Sequence, residues 1–268
     1  MSKDIFNVLD GWAYEPDELS VRIITGDDGR EKIQLRLDLG VLQMEMDGRP
    51  DGLRPEGAES WLDYYEERQR EHAAAHPDSA PWRLDAEDCG RLLREGLQYY
   101  HRYISLWSLD RYELCARDTA RNLRLFAFVR DHARTDRDKL QFDQFRPYVT
   151  MMHARAVATP LVKARNYAAA LKAIDEGIAG IRQFFDEYGQ SDQVSKCSEL
   201  TFLERWRKDV ASKKSGKAKR LPRDPLQALR KELEDAVAEE RFEDAARLRD
   251  EIRRINNTTT PLRADESL

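Results

Sequence analysis

The sequence predicts a mainly α-helical protein of the α+β class, with a small antiparallel β-element at the N-terminus. Apolar and polar residues alternate between residues 31 and 39, as in a strand with one buried face. Apolar residues then recur at spacings of three and four from about residue 88 to residue 188, as in amphipathic helices. Helical spacing returns in residues 226–256, so we expect repeat-like helical hairpins followed by a C-terminal helical hairpin.

The composition predicts a soluble protein. The 268 residues are 35% charged and carry a formal net charge of -5. This acidic balance disfavours a protein that coats nucleic acid, for which a basic face is expected. No apolar run is long enough to cross a membrane, and the first residues, MSKDIFNVLDGW, lack the apolar stretch of a secretory signal. We therefore expect a cytoplasmic protein that does not contact a membrane.

The cysteine and histidine residues predict no disulfide, metal site or cofactor. Cys89, Cys115 and Cys197 are far apart in the sequence, so reduced and buried thiols are expected. His72 and His76 are four residues apart and could share a helix face as metal ligands, but no third ligand is near them. Two exposed histidines at the end of a helix are the favoured interpretation.

Residues 1–57 are expected to hold the β-element and a loop. The segments VRIIT and EKIQLRLDL predict two strands, because GDDGRE between them supplies the glycine and aspartate residues of a tight turn. After Gly40 the apolar positions shift by one residue to Leu42, Met44 and Met46, which predicts a bulge or a turn at Gly40. The alternating apolar residues before this point are Ile33, Leu35, Leu37 and Leu39.

Glycine and proline interrupt residues 47–57, DGRPDGLRPEG, and predict a loop. A plain connector between sheet and helices is the favoured interpretation. The alternative is a binding surface that presents Arg49, Asp51 and Arg54. Only this loop supports a hydrolase or a transferase, and the sequence carries no enzyme signature, so we expect a protein without enzymatic activity.

Residues 58–210 are expected to form a helical body. Apolar stripes predict four helices after residue 88, and short polar links predict that they form two packed helical hairpins. The third stripe meets Pro160, where we expect the helix to kink or stop. The stripes consist of Leu93, Leu97, Tyr100, Ile104 and Trp107; of Tyr112, Ala116, Leu123 and Phe126; of Phe145, Val149, Met152 and Ala156; and of Tyr167, Leu171, Ile174, Ile178, Ile181 and Phe185.

The segment ARNYAAALKAIDEGI, in the fourth of these helices, resembles the second helix of a tetratricopeptide repeat. In that repeat an aromatic residue and small alanines let paired helices pack closely. A related segment, DRYELCARDTARNLRLF, follows the first helix, but Tyr112 and Tyr167 are 55 residues apart (167 − 112) rather than the roughly 34 of that repeat. A true repeat and merely repeat-like packing both remain open.

The C-terminal region is predicted to be a tethered module. Residues 211–225, ASKKSGKAKRLPRDP, are rich in Lys, Arg, Gly and Pro and predict a disordered, positively charged linker. In residues 226–256 a straight helix would lose its apolar stripe halfway along, and the stripe resumes at Phe242, rotated by roughly 100°. A turn near Arg241 lets the two stripes face each other in an antiparallel hairpin. Residues 257–268 are expected to be a disordered tail.

The segment LRKELEDAVAEERFEDAARLRDEI, residues 229–252, closely resembles the UVR motif, a helical hairpin shared by the excision-repair proteins UvrB and UvrC and by McsA, the activator of a bacterial protein-arginine kinase. In this family such hairpins pair with one another, within one protein or between two. The resemblance therefore implies a protein partner or self-association. The residues expected at the contact are Leu229, Leu233, Ala236, Phe242, Ala245, Ala246, Arg249 and Ile252.

Only the hairpin is shared with these proteins. The sequence lacks the helicase motifs of UvrB, the nuclease domains of UvrC and the zinc-binding cysteine pairs of McsA-like proteins. Repair and kinase-activating functions therefore do not transfer with the motif.

The leading hypothesis is a non-enzymatic adaptor whose hairpin pairs with another UVR-type or helical partner. The alternative is an accessory factor of nucleotide excision repair, or a regulator of a stress-response kinase, with DNA contact through the basic linker. Such a DNA contact is expected to weaken steeply with salt. The residues expected to contact nucleic acid are Lys213, Lys214, Lys217, Lys219 and Arg220.

Overall fold

A computed structural model of the chain describes residues 4–214 and, in the C-terminal hairpin, residues 229, 232, 233, 244, 247–249 and 252. Within these ranges the fold is mainly α, with a three-stranded antiparallel sheet near the N-terminus, which confirms the predicted class. None of the helices described is both long and apolar enough to cross a lipid bilayer. The helices are α1 (Phe6–Leu9), α2 (Trp61–Ala75), α3 (Ala86–Ser108), α4 (Tyr112–His132), α5 (Asp136–Asp143), α6 (Arg146–Lys163), α7 (Tyr167–Glu187) and α8 (Ser198–Lys214), and the strands are β1 (Val21–Thr25), β2 (Glu31–Leu37) and β3 (Gly40–Glu45).

The three strands form the sheet in chain order, and each is antiparallel to the next. β2 ends at Leu37 and β3 begins at Gly40, so only Asp38 and Leu39 link them. The pairing of β2 with β3 runs without an extra residue on either strand. A turn at Gly40 is therefore confirmed, and the alternative of a bulge is wrong.

In the first half of the second strand the apolar residues are buried as predicted, but Lys32 and Gln34 on the other face are buried as well. Ile33 and Leu35 are buried, whereas Leu37 is 37% exposed and Leu39 is 89% exposed. Leu39 lies in the link between two strands rather than in β2, and cover of the apolar face decreases toward this end of the sheet. The prediction is therefore wrong for Leu37 and Leu39.

The opposite face of the sheet buries polar side chains because each has a partner. The Lys32 ammonium donates to the carboxylates of Asp28 and Glu45. The Gln34 side chain accepts a hydrogen bond of 2.8 Å from Arg22 Nε. Such pairing is what makes the burial of polar groups tolerable.

The helices form two hairpins, as predicted: α3 packs against α4, α6 packs against α7, and α4 packs against α6. Each hairpin turns through a three-residue link whose middle residue is left-handed, Asp110 with φ 58° and Arg165 with φ 59°. In both links the next backbone N–H donates to a carbonyl five residues earlier, at 2.8 Å. The two hairpins thus share one turn geometry at a spacing of 55 residues (165 − 110), which is consistent with repeat-like packing.

The left-handed link leads to a first prediction, that Arg165→Gly raises the free energy of unfolding by about 1 kcal/mol. Glycine adopts a positive φ without the steric penalty that other residues meet. Arg165 is exposed, so the substitution removes no buried contact. Equilibrium urea denaturation measures the change, with Arg165→Ala as the control that shortens the side chain but keeps Cβ. Equal effects of the two substitutions would contradict the prediction.

Pro160 does not end its helix. α6 continues to Lys163 and contains Pro160 inside its last turn. A proline there removes one backbone hydrogen bond, while the packing of α6 against α4, α7 and α8 favours continuation of the helix. The expectation of a stop at Pro160 is wrong.

The buried face of α3 lies about one residue earlier than predicted. It includes Leu92, Tyr99 and Leu106, and it also carries the charged residues Glu95 and Arg102. Periodicity misses this face because it treats charged residues as exposed. Of the predicted stripe Ile104 is buried, whereas Leu93, Leu97, Tyr100 and Trp107 are only partly buried.

The other stripes vary in the same way. In α4 the polar residues Asp118 and Asn122 are buried, and Phe126 is the member of the predicted stripe that is buried with them. In α6 and α7, whose buried faces are mostly apolar, the predictions are largely confirmed. The predicted residues buried there are Val149, Met152, Ala156, Ile174, Ile178, Ile181 and Phe185.

Two hydrophobic clusters hold the body together. The larger joins sheet residues such as Ile33 and Met44 to α3, α4, α6, α7 and α8. The smaller lies mainly among α2, α3, α4 and α5. The sheet is therefore part of the same folded unit as the helices.

Candidate functional site

Among the described residues of the predicted C-terminal hairpin, four leucine and isoleucine residues form a cluster, which we call the hairpin seam. Leu229 and Leu233 lie four residues apart in one helical segment, and Leu248 and Ile252 lie four apart in the other. Leu229 and Leu248 are buried, and Leu233 and Ile252 are partly buried against them. Residues four apart share one helix face, so each helical segment directs one apolar face toward the other.

The hairpin seam is separate from the two hydrophobic clusters of the body. As far as the structure describes the chain, the seam contains no residue of the range 4–214. An ion pair of 2.5 Å joins Arg205 of α8 to Glu232 of the hairpin, and the two side chains are 65% and 38% exposed. Because an ion pair so exposed contributes about 0–1 kcal/mol, it holds the hairpin only weakly beside α8.

The residues predicted to contact a partner do not all lie in the same environment. Leu229, Leu233 and Ile252 lie in the hairpin seam, so they have a role within the hairpin whatever else they contact. Arg249 is exposed. Ala236, Phe242, Ala245 and Ala246 lie outside the described residues, and a partner contact by all eight stays a prediction. Leu248 is a seam residue that the predicted set lacks, although its spacing of four from Ile252 is a signal for it.

Helix α8 extends into the first part of the predicted linker. α8 continues through Lys214, so residues 211–214 are helical rather than part of a linker. The physical reason is that Val210 is buried in the larger cluster and extends the packed part of the helix. Lysines in the last turn also interact favourably with the negative end of the helix dipole.

Only two of the residues predicted to contact nucleic acid lie in the described part of the chain. Lys213 and Lys214 lie in the last turn of α8, and Lys217, Lys219 and Arg220 fall outside the described residues. Lys214 lines a shallow groove with Lys172, Asp175 and Glu176. Because this groove carries charges of both signs, it is not the basic face that binding of a phosphate backbone requires.

The three residues of the loop 47–57 considered as a binding surface make contacts within the chain. Arg49 Nε lies 3.2 Å from a carboxylate oxygen of Glu95, and the Arg54 guanidinium pairs with Glu59. Asp51 accepts a hydrogen bond of 2.9 Å from the Gln98 amide. These contacts agree with the interpretation of the loop as a connector that docks on α3.

Glu95 is a buried carboxylate that fastens α2 to α3. It accepts hydrogen bonds from the first two backbone N–H groups of α2, those of Trp61 at 2.8 Å and Leu62 at 3.1 Å. It also accepts from the guanidinium of Arg121. A carboxylate at a helix N-terminus satisfies N–H groups that have no partner in the helix. Apolar periodicity does not identify Glu95, although its place between Leu92 and Tyr99 on one helix face is a signal for its burial.

The three cysteine residues are buried, and two histidines lie close together at the end of α2. Cys89, Cys115 and Cys197 are buried free thiols, as predicted, and desolvation raises the pKa of each to about 12. The rings of His72 and His76 lie 5.2 Å apart at the end of α2. Across the described ranges no group of three His, Cys, Asp or Glu residues could hold a metal ion.

Comparison with known families gives one finding. A family model described as the UvrB/uvrC motif, UVR, matches residues 224–258, and this match confirms the resemblance in the predicted hairpin. No curated protein and no solved structure matches the chain at a significant level. The tetratricopeptide-like resemblance of the central helices thus stays a prediction.

Proposed function

We propose that this chain, with a UVR motif at its C-terminal end, is a non-enzymatic adaptor whose hairpin pairs with a UVR-type or other helical segment of a second polypeptide. The observation that carries the proposal is the hairpin seam, whose described residues share none with the hydrophobic clusters of the body. The UVR match supports a protein interaction in general. The identity of the partner is left to experiment.

The partial exposure of Leu233 and Ile252 favours a partner. Two of its four described side chains are buried and two remain partly exposed. Short helices depend on tertiary packing, because intrinsic helix propensity stabilises them too little. Pairing with another helical segment would cover the remaining surface of Leu233 and Ile252, and burial of apolar surface favours association.

The contact with the body favours the same proposal. One described contact between the hairpin and the body is the exposed ion pair of Arg205 with Glu232. Replacing this ion pair by a contact with a partner would cost little free energy.

Leu248→Asp tests this proposal. A carboxylate in the hairpin seam would be buried without a partner, which costs several kcal/mol and favours opening of the hairpin. We expect the full-length variant to lose hairpin-dependent association by about a hundredfold or more, since each 1.4 kcal/mol is a factor of ten. Light scattering measures self-association, and quantitative affinity purification from the native cell measures association with other proteins.

Arg247→Ala is the control, because Arg247 is exposed and its described ion pair is with Asp244, at 3.4 Å in the same helical segment. It should leave association unchanged. Both variants should keep the thermal stability of the body, whose hydrophobic clusters are separate from the seam. If the mass and the recovered partners of Leu248→Asp equal those of the unmodified chain, the adaptor proposal is wrong.

An accessory role in excision repair is the second candidate, and the observation in its favour is the family description of the UVR match. It predicts DNA binding that weakens steeply with salt and depends on Lys213 and Lys214. A gel shift at low salt tests it, and absence of binding by the full chain would exclude the DNA contact.

A further inference from the structure

Strand β1 has an open edge. Arg36 N donates to Ser20 O at 2.9 Å, and Gly26 N donates to Arg30 O at 2.8 Å. Because hydrogen-bonded positions alternate along an antiparallel strand, the even-numbered residues of β1 face β2. The backbone N–H and C=O groups of the odd-numbered residues face outward, and the described part of the chain offers them no hydrogen-bond partner. The outward residues are Val21, Ile23 and Thr25.

Features that normally protect an edge strand are lacking in β1. Such strands are often blocked by proline, lysine or a bulge, whereas β1 reads VRIIT and pairs in continuous register. Its charged residue, Arg22, donates to Gln34 Oε1 and to Val8 O, each at 2.8 Å, and its guanidinium lies 4.0 Å from the centre of the Trp12 ring. The Arg22 guanidinium thus lies over the face of the sheet and does not block pairing of another strand with the edge.

The other edge of the sheet is partly covered. Glu45 N of β3 donates to Pro50 O at 2.8 Å, so the chain that follows β3 folds back on its outer side. Arg102 also donates to Glu45 O, at 3.1 Å. Addition of a strand to the sheet is therefore favoured at β1.

Apolar surface lies beside the open edge. Leu19 immediately precedes the Ser20–Arg36 pair, so it lies opposite Leu37 at the end of the sheet, and both leucines are exposed. A strand added along β1 would cover Leu19 and the half-buried side chains of Val21 and Ile23. Its own alternate residues would have to be apolar to do so.

Charge distinguishes a foreign partner from a second copy. Acidic residues lie on both sides of β1, at Glu15 and Glu18 before the strand and at Asp27 after it, whereas Asp28 is already paired with Arg30 and Lys32. Two copies paired antiparallel through β1 would bring the acidic start of one strand near the acidic end of the other. Like charges in such a position are destabilising. A segment with basic residues on both sides would instead be attracted.

We propose that the open edge of β1 binds an extended segment of a partner protein, with alternating β-branched residues at its centre and lysine or arginine at both ends. Backbone hydrogen bonds to Val21, Ile23 and Thr25 supply the affinity, and the acidic flanks select the partner. This surface is independent of the hairpin. An adaptor that carries both could hold two proteins at once.

A synthetic peptide of alternating Val and Thr with two lysines at each end is the probe, and binding to the full chain is measured by fluorescence anisotropy and hydrogen–deuterium exchange. We expect saturable binding and slower exchange in residues 21–25. N-methylation of the central peptide amides should weaken binding by at least about tenfold, because it removes the donors of the ladder. Glutamate in place of the four lysines should weaken it several-fold.

Ile23→Pro removes an outward N–H at a position where an edge strand tolerates proline. We expect it also to weaken binding of the probe peptide by at least about tenfold. The proposal fails if the unmethylated probe does not bind at millimolar concentration, if the N-methylated probe binds equally well, or if protection appears in residues 40–45 instead. It also fails if residues 21–25 become protected with rising protein concentration without the probe, because a second copy would then occupy the edge.

Discussion

Asp118→Ala is expected to lower the free energy of unfolding by about 3–5 kcal/mol, the usual cost of removing one partner of a buried ion pair. Arg102 Nε lies 2.6 Å from Asp118 Oδ2, and both side chains are 1% exposed. Without Asp118 the guanidinium of Arg102 stays buried with an uncompensated charge. Equilibrium denaturation in urea gives the magnitude.

The effect should extend to the loop 47–57. Arg102 also donates to the backbone carbonyls of Glu45, at 3.1 Å, and Gly48, at 2.8 Å. The Asp118–Arg102 pair therefore positions the guanidinium that fastens the start of this loop to α3. In Asp118→Ala we expect faster hydrogen exchange of residues 45–52.

Asp175→Ala is the matched control, since Asp175 is also an aspartate in a helix and pairs with Arg207 while 48% exposed. Its loss should cost at most about 1 kcal/mol. The double variant Asp118→Leu with Arg102→Met removes both charges and should be more stable than Asp118→Ala, because no buried charge is left alone. If Asp118→Ala and Asp175→Ala have equal costs, the buried pair does not have the role described.

Gly177→Ala is expected to destabilise the body by about 1–3 kcal/mol, the cost of overpacking a tight core. A Cβ at residue 177 would lie 2.6 Å from Ala154 Cβ and 3.1 Å from Leu203 Cδ1. Ala154 has no rotatable side chain that could move away, so α6 and α7 themselves would have to separate. This cost outweighs the helix propensity of about 1 kcal/mol that alanine gains over glycine.

Gly90→Ala is the control for Gly177→Ala. Gly90 lies inside α3, and the nearest atom to an added Cβ is the flexible Arg94 Nη1, at 3.8 Å. Here only helix propensity changes, so we expect the protein to gain up to about 1 kcal/mol. Thermal and urea denaturation should give opposite signs for the two glycines, and the same sign would contradict the close approach of α6 and α7.

The proposed adaptor has its two binding surfaces on different parts of the chain. The hairpin would recognise a helical segment through apolar side chains, and the β1 edge would recognise an extended segment through backbone groups. The two modes of recognition differ in their chemistry. We therefore expect Leu248→Asp to weaken only binding through the hairpin, and Ile23→Pro to weaken only binding through the β1 edge.

Sequence periodicity predicted elements whose buried faces are apolar. The stripe of Ile174, Ile178 and Ile181 in α7 is visible because apolar side chains repeat at helical spacing, and the structure buries it. The UVR motif could also be predicted from the sequence, because it is one continuous segment, and the family match confirms it. Both signals are local, so one stretch of sequence is sufficient to read them.

Faces that contain charged residues were not predicted. Glu95, Arg102 and Asp118 are buried, although their residue types indicate an exposed surface. Their partners, among them Arg49, Arg121 and the N-terminus of α2, are distant in sequence, and the free energy of burying a charge depends on those partners.

The sequence by itself determined the helical class, the β-hairpin of the first strands and the C-terminal UVR motif, because each follows from periodicity or from a contiguous run of residue types. Only the tertiary structure decided which charged side chains lie inside, that the loop 47–57 docks on α3, and that β1 keeps an open edge. These features depend on contacts between residues far apart in the chain. The free energy of burying a polar or charged group depends on the partners that it meets when the elements pack together.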